Sequence, residues 1–164
     1  MSLHSYSRVW LHLVWATLER KPLLGEAAAP KVSGFLKEYA AKKGIYMKIN
    51  YVNADHVHVL IDLPTAQSIE DVMHLLKGSS SHWINENALA AGNFAWGRGY
   101  GAFSVGQSGV EDVARYISEQ EAHHRTKTFA EEIQQFVERY ELKWRGAGKP
   151  LKRFLTTIAS VTPR

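Results

Sequence analysis

The chain has 164 residues, of which 45% are hydrophobic and 22% charged, and its formal net charge is +4. Such values are typical of a single globular domain, and the small positive excess favours a polyanionic partner. Cysteine is absent, which excludes disulfides, zinc–thiolate sites and cysteine nucleophiles. No signal peptide is recognisable and no apolar stretch reaches the roughly 18 residues of a membrane span, so we expect a cytoplasmic protein with no membrane partner.

The first half of the chain predicts three strands and one helix. Residues 8–17 alternate between apolar and other side chains and are rich in β-branched and aromatic types, as in a strand. A helix follows over residues 31–43 and is stopped by Gly44, a favoured C-capping residue. Residues 45–52 and 55–62 are two more strands, and the short link between them predicts an antiparallel hairpin.

The second half predicts a helix, a glycine-rich connection and two further helices. Ser68 and Asp71 have the spacing of a capping box at the start of a helix. Residues 91–109 are rich in glycine and aromatic side chains, which predicts a loop, a short strand near residues 102–105 and a hinge. The two further helices are expected over about 110–123 and about 129–140.

This order of elements predicts an α+β fold. We expect a ferredoxin-like (RRM-like) antiparallel sheet with helices packed on one face, and a tyrosine-bearing helix after the glycine-rich hinge. Residues 1–140 are interpreted as one domain. Residues 141–164 are basic, lack clear periodicity and are interpreted as a C-terminal extension.

A His-x-His pair lies in the predicted strand over residues 55–62. Strand side chains alternate between faces, so His56 and His58 project to one side while Val57 and Val59 project to the other. Two neighbouring imidazoles can offer two nitrogen ligands to a divalent cation. The alternative is a polar strand face that carries two histidines without a metal, and the pair alone does not decide between the two.

The predicted helix over residues 110–123 carries a second set of reactive side chains. Tyr116, Gln120 and His123 lie at positions i, i+4 and i+7, on one stripe. A tyrosine hydroxyl can attack phosphorus if a cation neutralises and positions the phosphate, and a nearby amide can complete the cation's coordination. The alternative is an ordinary amphipathic helix with a tyrosine at its rim.

Five blocks of sequence, taken together and in order, resemble one known family. The blocks are residues 14–17 with 20–24, 55–60, 76–80, 99–105 and 116–124. They resemble the single-tyrosine transposases of the insertion-sequence-200 type, in the superfamily named after its His-hydrophobic-His (HUH) motif. They are also similar to domesticated relatives associated with repetitive extragenic palindromes. Two features depart from the pattern: Gly97 stands where a glutamine is expected, and the tail beyond Tyr140 matches nothing.

The resemblance implies an activity and roles for individual residues. Tyr116 is expected to be the nucleophile, forming a 5′-phosphotyrosine link and freeing a 3′-hydroxyl. His56 and His58 are expected to hold Mg²⁺ or Mn²⁺, with Gln120 as the third protein ligand. The resemblance further implies a homodimer that cleaves and rejoins single-stranded DNA near hairpins, with the tyrosine of one subunit acting in trans on the partner's metal.

Several other side chains are candidates for DNA contacts. Lys77, near a run of serines, is able to grip phosphates, although a solvated helix end fits equally well. Trp96, Arg98 and Tyr100 are able to stack on and clamp unpaired bases, or simply to close over a core. Four surface charges are expected near DNA only if the site lies as the resemblance implies: Arg20, Lys21, Arg125 and Lys127. His123 could assist the cation or the DNA.

Two other functions are considered. A ferredoxin-like module could bind nucleic-acid hairpins on its sheet without catalysis, as RNA-recognition domains do. The joint presence of His56, His58, Tyr116 and Gln120 argues against this, since a pure binder does not need them. A two-histidine phosphodiesterase is excluded because a second His-x-Thr/Ser motif is missing.

Overall fold

The computed structural model describes residues 5–124 and 127–139 and contains two compact units. The first unit, Met1–Ser118, contains four strands, β1 (Trp10–Ala16), β2 (Tyr46–Val52), β3 (His56–Asp62) and β4 (Gly101–Val105). It also contains the helices α1 (Ala28–Lys42), α2 (Ile69–Glu86) and α3 (Val110–Ser118). Within the second unit, Glu119–Arg164, the described helices are α4 (Gln120–His124) and α5 (Phe129–Arg139).

The four strands form one antiparallel sheet in the order β2-β3-β1-β4. The central pair places Val14 opposite His58 and Ala16 opposite His56. The predicted hairpin between β2 and β3 is therefore confirmed, and so is the ferredoxin-like antiparallel sheet. Because β1 and β3 are the two central strands, side chains on them are flanked by neighbours on both sides.

Helices α1 and α2 pack against one face of the sheet, as predicted. Apolar side chains that alternate along the central strands form the core with these helices: Leu11, Leu13, Trp15, Val57, Val59 and Ile61. The helices contribute buried residues such as Val32 and Leu36 from α1 and Met73 and Leu76 from α2. This face is largely apolar, although Asn50 of β2 is hydrogen-bonded to Ser33 of α1.

The opposite face of the sheet is covered in part by α3. Trp10, Leu60 and Val105 of the sheet form a second, smaller cluster with Val110 and Ile117 of the helix. An ion pair of 3.0 Å between Lys48 Nζ on β2 and Glu111 Oε1 on α3 adds to this packing. Helix α3 thus lies on the sheet face to which the even-numbered residues of β1 and β3 point.

Local signals at the helix ends behave as the sequence predicts. The Ser68 hydroxyl accepts from the Asp71 backbone N–H, and the Asp71 carboxylate accepts from the Ser68 backbone N–H, which completes the capping box of α2. Gly44 follows α1 with φ +71°, a conformation that glycine adopts without steric cost. Helix α1 begins at Ala28, earlier than predicted, because Pro30 is tolerated within a first helical turn.

One predicted helix is interrupted. The expected continuous helix over residues 110–123 is wrong, because α3 ends at Ser118 and α4 begins at Gln120. Ser118 Oγ donates to the Arg115 carbonyl at 2.7 Å and so competes with the backbone hydrogen bonds that would continue the helix. Tyr116 and Gln120 therefore belong to separate helices and do not share a helical stripe.

Two further predictions concern the whole chain. Among the described residues, no helix is long and apolar enough to cross a membrane. The predicted extension over residues 141–164 lies outside the described residues, so the division at residue 140 stays a prediction.

Candidate active site

The two histidines of β3 lie side by side on the α3 face of the sheet. His56 and His58 are 1% and 0% exposed, and their rings are T-shaped with centroids 5.1 Å apart. One ring nitrogen of each lies within 4.8 Å of the other, a separation that one cation can bridge. The predicted projection of both imidazoles to one side of the strand is thus observed.

Asp55 orients His56 from the end of the strand. His56 Nδ1 lies 2.6 Å from Asp55 Oδ1, and Arg20 Nη2 lies 3.4 Å from the other carboxylate oxygen. Burial raises the pKa of Asp55, but the hydrogen bond and charge of His56 and the charge of Arg20 outweigh it, so this pKa is lowered. An ionised Asp55 accepts the Nδ1 hydrogen of His56 and directs Nε2 toward a ligand.

Asn53 occupies the other side of the same imidazole. Its Nδ2 lies 3.1 Å from His56 Nε2. A cation bound at this nitrogen would replace the Asn53 contact. The donor set of two imidazoles, one of them backed by a carboxylate, suits a divalent cation of the first transition row.

His58 is held by a third buried histidine, His12 of β1. His12 Nε2 lies 2.9 Å from His58 Nδ1, and the two rings are stacked with centroids 5.2 Å apart. His12 is 2% exposed, and burial lowers its pKa from 6.5 to about 4, so it is neutral at neutral pH. His12 and His58 are 46 residues apart along the chain, so sequence spacing does not reveal this contact.

Tyr116 of α3 lies beside these histidines within the first unit. The centroid of its ring is 6.0 Å from that of His58 and 6.2 Å from that of His12, both in edge-to-face geometry. The side chain is half-buried, packed against the cluster that anchors α3 to the sheet. The structure therefore brings together three of the predicted residues, His56, His58 and Tyr116.

The predicted third ligand, Gln120, belongs to the second unit. Gln120 is 0% exposed, and its Nε2 donates to Glu132 Oε1 of α5 at 3.2 Å. This hydrogen bond fixes the orientation of the amide group. Glu132 was not predicted from the sequence, because its spacing from Gln120 matches no single helical stripe and a glutamate on an amphipathic helix is usually solvated.

Two of the predicted DNA-contact residues have intramolecular partners. Lys77 Nζ donates to the carbonyl oxygens of Gly97 at 2.8 Å and Gly99 at 3.0 Å, and burial lowers its pKa. Trp96 is 8% exposed, and its Nε1 donates to Ser80 Oγ at 2.9 Å. Both side chains stabilise the loop before β4, and their predicted DNA contacts stay untested.

The other predicted DNA-contact residues differ in exposure. Arg98 and Lys21 are exposed, and Lys21 pairs with Glu19 at 3.0 Å. Tyr100 is partly buried against the larger core, and Arg20 pairs with Asp55 near His56. The side chain of His123 and all of Arg125 lie outside the described residues.

The loop that contains Gly97 runs close to the end of β1. Gly97 N donates to the Ala16 carbonyl at 2.8 Å, and an added Cβ at this glycine would lie 3.2 Å from the Thr17 carbonyl oxygen. A glutamine at this position, which the family pattern leads one to expect, would require the backbone here to shift slightly. The close approach of this loop to the end of β1 thus explains why glycine stands at position 97.

The chain is similar to known transposases in sequence and in fold. The model of a family described as "Transposase IS200 like" matches residues 5–120. A curated relative, the ISDra2 transposase TnpA of Deinococcus radiodurans, is 28% identical over 115 residues, which is 66% of this chain and 81% of the relative.

Two solved structures have a similar fold. A candidate transposase from Deinococcus radiodurans R1 aligns with a TM-score of 0.58 and 23% identity, over 73% of this chain and 96% of its own. A tyrosine transposase associated with REP sequences, solved bound to a REP hairpin, aligns with a TM-score of 0.56 and 12% identity, over 76% and 74%. Since the family model spans most of the chain, the chain belongs to the IS200-like transposase family.

Proposed function

We propose that this transposase cleaves and rejoins single-stranded DNA at hairpin-flanked sites through a 5′-phosphotyrosine intermediate, in a metal-dependent reaction. The observation that carries the proposal is the position of Tyr116 against His58, on the face where His56 and His58 lie side by side. A phenol next to two imidazoles that can hold a cation combines a nucleophile with an ion able to neutralise and position a phosphate.

The reaction exchanges one phosphodiester bond for another. Tyr116 Oη attacks the phosphorus, a bond forms between them, and the bond from phosphorus to the 3′ oxygen breaks. The hydroxyl proton of the tyrosine leaves to solvent, and the departing 3′ oxygen is protonated. Rejoining reverses these steps with a different 3′-hydroxyl, so no external energy source is needed. A bound divalent cation supplies charge neutralisation and positioning of the phosphate.

His56 and His58 are the residues that would hold Mg²⁺ or Mn²⁺. Their buried imidazoles fit such an ion because each ring is already oriented by a neighbour at Nδ1, Asp55 for His56 and His12 for His58. Gln120 is retained as the proposed third ligand from the family resemblance. The hydrogen bond from Gln120 to Glu132 supports this role because it fixes the orientation of the amide group.

The proposed DNA partner is a single strand that forms a hairpin. The family assignment supports this, and one structural relative was solved with a REP hairpin bound. The exposed Arg98 and Lys21 are the predicted phosphate or base contacts that remain most accessible. A cytoplasmic location follows from the need to meet chromosomal or plasmid DNA.

A covalent-adduct assay tests the nucleophile. The full chain is incubated with a 5′-labelled hairpin oligonucleotide and with its 3′-labelled counterpart in Mn²⁺, then resolved under denaturing conditions. A 5′-phosphotyrosine link retains the 3′-labelled fragment on the protein and releases the 5′-labelled one. Tyr116→Phe removes one oxygen and should abolish the adduct without unfolding the protein.

Tyr39→Phe is the matched control, since Tyr39 lies on α1 at the opposite face of the sheet. It should form the adduct at the wild-type rate. An adduct of undiminished yield in Tyr116→Phe would refute the assignment. Hairpin binding without any adduct in the wild-type protein would instead favour a non-catalytic binder.

We further propose that the protein acts as a homodimer with Tyr116 working in trans, as the family resemblance implies. In the single chain, Tyr116 lies beside its own His58. A trans arrangement therefore requires α3 to pack on the partner's sheet, and Gly106 and Gly109 before α3 give the connection freedom to do so.

Subunit mixing distinguishes the two arrangements. His56→Ala and Tyr116→Phe are each expected to be inactive alone. In a trans dimer, the mixed species contains one intact site and one doubly defective site, so about half of the dimer's activity should return. A mixture with verified subunit exchange and no cleavage would refute the trans arrangement.

A further inference from the structure

The contact between His12 and His58 joins a residue without an assigned role to a proposed metal ligand. The two nitrogens are 2.9 Å apart, and both rings are almost completely buried. The residues lie on adjacent central strands, where Val14 and not His12 is the direct partner of His58. His12 thus reaches His58 diagonally, and this requires a side chain long enough to carry a polar atom across the strand pair.

A hydrogen bond between two neutral imidazoles contains one hydrogen, so two arrangements are possible. In one, His12 Nε2–H donates to His58 Nδ1, and His58 then carries its own hydrogen on Nε2. In the other, His58 Nδ1–H donates to His12 Nε2, and the lone pair of His58 lies on Nε2. Only the second arrangement leaves His58 able to bind a cation through Nε2, since Nδ1 is engaged with His12 in both.

We propose that His12 is a positioning residue whose Nε2 accepts the Nδ1 hydrogen of His58, holding His58 in the tautomer that binds the divalent cation through Nε2. The inference rests on the proposed metal site at His56 and His58. It assigns His12 the part that Asp55 takes for His56, where a carboxylate lies 2.6 Å from the corresponding Nδ1. Both histidines of the motif are then oriented from Nδ1 and present Nε2.

The surroundings of His12 support a role in orientation. Its ring also contacts Phe103 of β4, with centroids 6.1 Å apart, and Tyr116 of α3 at 6.2 Å. Together with His58 of β3, these contacts enclose the His12 ring between β3, β4 and α3 and hold its orientation. A rigid acceptor holds the His58 ring in one plane as well as one tautomer, because the hydrogen bond is directional.

The tautomer can be measured without metal or DNA. In the metal-free full chain labelled with ¹⁵N-histidine, long-range proton–nitrogen spectra distinguish Nδ1–H from Nε2–H imidazoles, and a His58→Asn variant assigns the signal. We expect His58 as the Nδ1–H tautomer in the wild type. An Nε2–H tautomer of His58 would overturn the proposal.

Metal affinity gives a second readout. His12→Phe keeps an aromatic ring for Phe103 and Tyr116 but removes the acceptor, so Mn²⁺ binding measured by calorimetry should weaken roughly 10–100-fold. His12→Gln keeps an acceptor oxygen near the position of Nε2 and should bind Mn²⁺ nearly as well as the wild type. If His12→Phe fails to fold, His12→Gln and the wild-type tautomer still decide the question.

Leu60→Val is the matched control for packing. Leu60 is the direct cross-strand partner of His12 and is fully buried under α3, but it offers no polar atom. It should lower stability and leave Mn²⁺ affinity unchanged. Equal affinities in wild type and His12→Phe would overturn the proposal. If the wild type binds no Mn²⁺, the proposed metal site itself fails, whereas the tautomer measurement still reports on His12 separately.

Discussion

Replacing Lys77 by methionine distinguishes a structural role from a DNA contact. The ammonium group donates to two glycine carbonyls of the loop before β4, at 2.8 and 3.0 Å. Hydrogen bonds to charged groups contribute about 1.5–3 kcal/mol each. The Gly97 bond is expected to contribute about 1.5 kcal/mol and the more exposed Gly99 bond about half of that. Lys77→Met should therefore lower the unfolding free energy by about 2 kcal/mol, since methionine retains only the apolar stem.

Thermal and urea unfolding followed by circular dichroism measure this loss. For a chain of this size, about 2 kcal/mol corresponds to a decrease in Tm of about 4–8 °C. The control is Lys21→Met, because the ion pair of Lys21 is exposed and should contribute less than roughly 0.5 kcal/mol. A structural role for Lys77 is refuted if Lys77→Met is as stable as the wild type and instead weakens hairpin binding, with a salt dependence reduced by the slope expected for about one phosphate contact.

Four further substitutions have defined outcomes. Ser68→Ala should lower the unfolding free energy by about 1 kcal/mol in urea titrations. The backbone hydrogen bond from Ser68 lowers the pKa of Asp71, so the stabilisation by the Asp71 carboxylate is present at neutral pH and lost as the pH falls through the lowered pKa. The difference in unfolding free energy between wild type and Asp71→Asn should therefore narrow on acidification. A constant difference would contradict this. Trp96→Phe should destabilise by about 1 kcal/mol yet leave hairpin affinity unchanged in filter binding, unless the ring stacks on bases. Asp55→Asn should weaken Mn²⁺ binding by about 10–100-fold in calorimetry, whereas unchanged binding would show that His56 needs no carboxylate.

Local sequence patterns were sufficient for the sheet and for the histidine pair. The alternation along residues 55–62 fixes which side chains face the core, and His56 and His58 follow from it without knowledge of any partner. The capping box of α2 is equally local, since it involves residues three positions apart. These features need only neighbouring residues, so one sequence predicts them.

Contacts between distant residues were not accessible in the same way. The role of His12 depends on a residue 46 positions away, and the burial of Trp96 depends on Ser80 and on packing against Trp15. The end of α3 was missed because residues 119–124 contain no glycine or proline that would mark a helix end, and apolar periodicity does not register the competing hydroxyl of Ser118. The proposed roles of Tyr116 and Gln120 come from the family resemblance, because spacing along the chain does not assign them.

The position of β3 and β1 at the centre of the sheet would link the proposed metal binding to the stability of the first unit. His12, His56 and His58 lie on these two central strands and not on the edge strands β2 and β4, which can open locally. A cation bound there is therefore absent from the unfolded state and contributes its full binding free energy, about 2.7 kcal/mol at a concentration 100 times Kd. For the cell, the cation that we propose for the reaction would also protect the protein from proteolysis.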